Sequence, residues 1–114
     1  MENIKLNIEM NYDMAQKLME LYKINLGDRF EDEYKNAINE FETSMSETEK
    51  FLKNYKENLS KQQVKFVEKL IIKIKNLEKD IIELIEKNDG KKFGKIREEE
   101  LEINDEINKM IEIK

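Results

Sequence analysis

Apolar residues recur at steps of three or four along most of this chain, the spacing that places side chains on one face of an α-helix. Phe30, Tyr34, Ile38, Phe41, Met45, Leu52, Tyr55 and Leu59 hold that phase. They predict a helix over residues 29–59, about 45 Å long at 1.5 Å per residue. Asp28 and Glu31 have the spacing of a capping box at its start. Thr43, Ser44 and Ser46 interrupt the run with hydroxyl residues that favour caps over helix interiors, and Ser46 with Glu49 offers a second box. A break there stays open, although the apolar phase continues across it.

A second helix is predicted over 61–88. Ser60 and Gln63 form its box, and Val64, Val67, Ile71, Ile74, Leu77, Ile81, Leu84 and Ile85 make the most apolar face in the chain. Gly90 is available for a left-handed cap. The junction at 59–61 permits a tight reversal or one continuous rod. The cap signal favours reversal, and hence an antiparallel helical hairpin. Ile96, Ile103, Ile107, Met110 and Ile111 predict a last helix over 95–112, and Met14, Ala15, Leu18, Met19 and Tyr22 a first one over 13–26, with Asp13 and Gln16 as capping pair.

The first dozen residues follow another rule. Ile4, Leu6, Ile8, Met10 and Tyr12 alternate with Asn3, Lys5, Asn7, Glu9 and Asn11. A strand puts all five apolar side chains on one face, whereas a helix scatters them. The alternation therefore predicts a short β-strand over 3–11, with a longer first helix as the competing reading. A strand needs a neighbour for its backbone groups, and no other segment alternates as cleanly. Ile4, Leu6 and Ile8 are thus candidates for pairing with a second copy or another protein by β-augmentation. The expected fold is mainly α: one domain over 1–114, a long antiparallel hairpin within a three- to four-helix bundle, and an N-terminal strand.

Composition supports helices and narrows the chemistry. The 114 residues include no Pro and three Gly, and they lack His, Cys and Trp. Without His or Cys there is no Ser-His-Asp or Cys-His nucleophile, no ordinary zinc site and no disulfide. Neither a membrane span nor a secretory leader is expected, so the anticipated compartment is the cytoplasm. The carboxylate runs Glu31-Asp32-Glu33 and Glu98-Glu99-Glu100 read as solvated helix faces. An EF-hand around Gly90 fails because Ile85 and Ile96 occupy ligand positions. Gly90–Lys95 resembles a phosphate-binding loop only superficially, with Ile96 where Ser or Thr belongs. No catalytic residue, cofactor or metal is expected.

Charge is sorted along the chain. Residues 1–49 carry 5 positive and 12 negative groups (net −7), residues 50–97 carry 14 and 7 (net +7), and residues 98–114 carry 2 and 7 (net −5). Within the basic third, Lys61, Lys65, Lys69 and Lys73 fall at successive i+4 positions and repel one another. Three partners would offset them: the matching lane Glu98, Glu102 and Glu106 on the last helix, an acidic protein surface, or nucleic acid. The excess of acid overall and the presence of only two Arg argue against nucleic acid. The aromatic line Phe30, Tyr34, Phe41 and Tyr55 reads first as core, and as a partner groove wherever the bundle leaves it uncovered.

The functional expectation is a non-catalytic protein-binding module that masks or sequesters a larger partner. Small acidic helical proteins commonly act this way as inhibitors (phage-encoded ones included), antitoxins or adaptors. The competing readings are a secretion or flagellar-export chaperone that cradles a client helix, and a structural coiled-coil oligomer.

Overall fold

In a computed structural model covering residues 1–114, the chain is helical from end to end and contains no strand. The four helices are α1 (Glu2–Lys23), α2 (Phe30–Tyr55), α3 (Lys61–Lys87) and α4 (Lys92–Lys109). Single 3-10 turns lead into α2 (Gly27–Arg29) and follow α2 and α4 (Lys56–Asn58 and Met110–Glu112). Successive helices run antiparallel. The Cα trace measures 46 × 25 × 17 Å, a flattened bundle.

The N-terminal strand is not formed. Residues 2–12 continue α1, because the alternation conceals a helical face: Ile4, Ile8, Asn11, Ala15 and Leu18 step by four, three, four and three, and all five are fully buried. Leu6 and Met10, which a strand would have buried with Ile4 and Ile8, point outward and are 65% and 51% exposed. Backbone satisfaction decides between the two. A lone strand leaves its N–H and C=O groups unpaired, while a helix satisfies them internally. The proposed route to a homodimer or to β-augmentation through Ile4, Leu6 and Ile8 disappears with the strand.

The other boundaries lie close to expectation, though three caps do not: Asp13 and Gln16, the expected pair of the first helix, lie inside α1, and those expected at Asp28 and Gly90 also differ. At Ser60 the box forms in full: Gln63 N–H donates to Ser60 Oγ (3.1 Å) and Ser60 N–H to Gln63 Oε1 (2.9 Å). At Asp28 it does not form, since the chain enters α2 through the 3-10 turn, with Gly27 at φ +57°. Glu31, Asp32 and Glu33 then favour the positive end of the helix dipole. Asn88, not Gly90, takes the left-handed position after α3, at φ 48°. The hydroxyl stretch at 43–46 does not break α2; Thr48 Oγ1 bonds back to the Ser44 carbonyl at 3.0 Å.

The hairpin arms α2 and α3 are consecutive and antiparallel, yet their backbones almost nowhere come within 8 Å. Helix α1 lies against both, and α4 packs along α3. One core joins all four helices, with Ile8, Leu18, Phe41, Ile74, Leu77, Ile81 and Ile103 at its centre. Between α1 and α2 a small polar knot interrupts it: buried Asn11 donates through Nδ2 to Ser44 Oγ at 2.7 Å.

This arrangement separates positions that a strand would treat alike. Ile8→Ala is expected to cost about 2–5 kcal/mol, whereas Leu6→Ala should stay within about 0.5 kcal/mol of the parent. Urea unfolding of the two variants measures the difference, and equal losses would contradict the helical face.

Candidate binding surfaces

The register of α4 on α3 determines which lysines find a partner. Gln63 Nε2 donates to the Ile113 carbonyl at 2.9 Å, Lys73 Nζ reaches Glu102 at 2.7 Å and Glu106 at 2.5 Å, and Asp80 meets Lys92 and Lys95 at 3.3 Å each. In that register Lys69 falls opposite Ile107 and Asn108 and Lys65 opposite Ile111 and Glu112, past the end of the acidic lane at Glu106. Of the predicted Lys lane, therefore, only Lys73 is neutralised within the molecule. Lys61, Lys65 and Lys69 are exposed and take part in no ion pair. The same is true of Lys79 further along the helix. Among these lysines Ile72 stands 57% exposed, out of phase with the buried stripe of α3.

The aromatic line divides into three environments. Phe41 is core. Phe30 stacks on Tyr34 with ring centroids 5.6 Å apart, and Tyr55 stacks on Phe51 at 5.2 Å, so the two ends of α2 carry half-buried aromatic pairs. Tyr34 donates to Glu86 Oε1 at 3.1 Å, tying the start of α2 to the end of α3. Burial, reinforced by that carboxylate, pushes the Tyr34 hydroxyl up to about 12.

Where α2 and α3 stand apart, a groove runs between them. One section of about 570 Å³ has Phe41 and Met45 on its floor, and a second of about 330 Å³ has Leu52, Ile71 and Ile72. Lys75 bridges the arms by pairing with Glu49 at 2.8 Å. Glu78 lines the groove, and its carboxyl is raised to about 7 by burial first and by Glu42 second.

A polar cleft of about 370 Å³ separates α3 from α4. Asp80 sits at its base, 7% exposed, and accepts from Lys92 while also pairing with Lys95; Lys92 pairs with Glu83 as well. Neither oxygen of Glu99 reaches solvent. Burial, together with the adjacent Asp80 carboxylate, raises Glu99 to about 7. Burial is also the largest influence on Asp80, and it acts upward, but the neighbouring Glu99 carboxyl and the two lysines outweigh it and hold Asp80 below the usual carboxylate range. Below about pH 7, therefore, the proton of this pair resides on Glu99 and the charge on Asp80. The acidic side chains nowhere gather into a group of three able to hold a metal ion.

Sequence reasoning passed over Asp80, Lys79 and Ile72, and it read Glu98-Glu99-Glu100 as a solvated face where the structure buries Glu100 and both carboxylate oxygens of Glu99. For two of these a signal existed. Asp80 occupies the apolar phase of α3 between Leu77 and Ile81, and a carboxylate in such a position must bring its own cations. Ile72 is the reverse, an aliphatic side chain outside the stripe. No helix of the chain is long and apolar enough to cross a membrane.

Comparison with protein-family models, with curated proteins and with solved structures finds no match to this chain.

The Asp80–Glu99 pair carries a pH dependence of known sign. Glu99 holds its proton more tightly in the folded chain than in the unfolded one, so its contribution lowers stability as pH rises from about 4.5 to about 7 and is constant above that. Glu78 acts in the same direction. Glu99→Gln, which mimics the protonated carboxyl, should raise stability at pH 8 by on the order of 1 kcal/mol once solvent screening is allowed for. At pH 4.5 the gain should vanish. Urea midpoints at the two pH values give the comparison, and a gain that is equal at both would refute the assignment.

Proposed function

We propose that this chain is a non-catalytic protein-binding module that masks an acidic surface of a larger partner with the outer face of α3. One observation carries the reading: Lys61, Lys65, Lys69 and Lys79 are exposed and take part in no ion pair, around an exposed Ile72, with Glu68 the one acid beside it. An apolar anchor within a charged rim is the usual anatomy of a protein contact. The like charges of the lane repel in the free molecule, and an acidic partner relieves that repulsion on docking. Inhibitors, antitoxins and adaptors of the cytoplasm are the functional class to which such a surface belongs.

Nucleic acid suits the face less well. An exposed isoleucine offers nothing to phosphate, no aromatic side chain stands among these lysines for base stacking, and the whole chain carries net charge −5.

The α2–α3 groove supports a second reading, a chaperone that cradles a client's amphipathic helix. The observation in its favour is the apolar floor of Phe41, Met45, Leu52 and Ile71 beneath a charged rim.

Capture from the native host separates these readings. With immobilised protein, Lys65→Glu plus Lys69→Glu is expected to lower retention of the specific partner at least about tenfold, and about 0.5 M salt to weaken it steeply. Met45→Glu, in the groove, should leave retention unchanged in a variant verified as folded. The opposite pattern would favour the client-helix reading, and a partner insensitive to both changes would dismiss the α3 face.

A further inference from the structure

A shallow groove of about 380 Å³ runs between α1 and α2, with Met10 and Met14 on one side and Asn39, Thr43 and Ser44 on the other. Leu6 stands one turn before Met10, so Leu6, Met10 and Met14 form a ridge at i, i+4 and i+8. The bundle makes little use of that ridge: Leu6 is 65% exposed and Met10 51%. No cation lines the groove, whereas lysines stand among the acids of the α2–α3 groove and the α3–α4 cleft. Its two acids are Glu40, held by Lys17 at 3.0 Å, and Glu47, which takes part in no ion pair. Asp13, between Met10 and Met14 in sequence, is exposed and likewise unpaired. The surroundings have no counter-charge to spare. Each of the four lysines of residues 1–49 is already paired with an acid of that segment, which carries net −7. Arg29 lies in the turn before α2, and Lys50, the next lysine along α2, lines the α2–α3 groove.

We infer that this groove receives a cationic amphipathic helix of a partner protein, with its apolar face on the Leu6–Met10–Met14 ridge and its lysines or arginines on Asp13 and Glu47. A helix is the fitting occupant because side chains four apart form ridges that interdigitate with the same ridges of a neighbour. From Leu6 to Met14 the ridge runs about 12 Å, room for two turns of the incoming helix. Methionine is unbranched and adapts its shape, so the floor accepts leucine, isoleucine or phenylalanine from above. Charge then selects among amphipathic helices. A cationic one relieves the surplus of acid, and an acidic one adds to it. The contact shares no residue with the lysine face of α3 and has the opposite sign.

The probe is a synthetic amphipathic helix of about 18 residues, leucine on one face and lysine on the other, set against a counterpart with glutamate in place of lysine. Carbon-13 at the methionine methyls of the full chain reports the site: Met10 and Met14 lie in this groove and Met45 in the α2–α3 groove. At about 50 mM salt the lysine helix should bind with Kd on the order of 100 µM, shifting Met10 and Met14 and leaving Met45 in place. The glutamate helix should bind at least about tenfold more weakly. Asp13→Lys plus Glu47→Lys should cost the lysine helix about tenfold, and so should Leu6→Ser plus Met10→Ser, read at Met14. Circular dichroism verifies that both variants stay helical. The chain alone should sediment as the 13.8 kDa monomer. Shifts centred on Met45, equal binding of the two helices, indifference to both double substitutions, or a dimer that the lysine helix dissociates would each overturn the proposal. None of these results touches the lysines of α3, so the masking reading is decided separately.

Discussion

The bundle depends on the apolar face of α1 entering between two helices that would otherwise pack on each other. A simple hairpin of α2 and α3 would close its own stripe and leave α1 and α4 as attachments. Here Ile4, Ile8, Ala15 and Leu18, all fully buried, supply the apolar surface that the separated arms require. Burying such side chains is the main favourable contribution to folding, and a chain of this length has few to spare. The open groove between α2 and α3 follows directly, since α1 can fill the space from one side only.

Electrostatics is arranged around that packing. Most acidic and basic groups lie in separate thirds of the sequence, and only where α3 and α4 run side by side do they neutralise each other in a cluster. Lys92 and Lys95 meet Asp80 there, and Lys73 meets Glu102 and Glu106. Elsewhere the ion pairs are exposed and contribute little individually. Along the outer face of α3, Lys61, Lys65 and Lys69 are left without an ion pair, which is a property of helix register and not of composition.

How much of this was legible depended on the range of the interaction involved. Helices α2 and α3 could be read because each holds its apolar phase over most of its length and because the Ser60 box is a local contact. Local patterning misled at the N-terminus. Leu6 and Met10 are apolar but face solvent, and their presence turned a helical face into a perfect alternation. The tertiary setting, with no strand to pair with and two helices to fill between, decided the outcome. The register of α4 on α3 could not be read at all. It rests on contacts such as Gln63 with Ile113 that join residues fifty positions apart, and it determines which lysines of the α3 lane are left free. The paired carboxylates Asp80 and Glu99 were hidden for the same reason, though Asp80 in an apolar phase was a clue.

Helix α4 begins with Lys92 and Lys95 in its first turns, with no side-chain cap and no acidic residue there to favour the dipole. By itself this is a poor start for a helix. Asp80 and Glu83, reaching across from α3, hold it in place. The end of the molecule near residues 88–95 therefore keeps its helical form by borrowing charge from a neighbour. In the hierarchy of local openings it belongs to the least protected class: its amides should exchange with solvent well before those of the core turns around Ile74 and Ile103, through fraying that leaves the rest of the bundle intact.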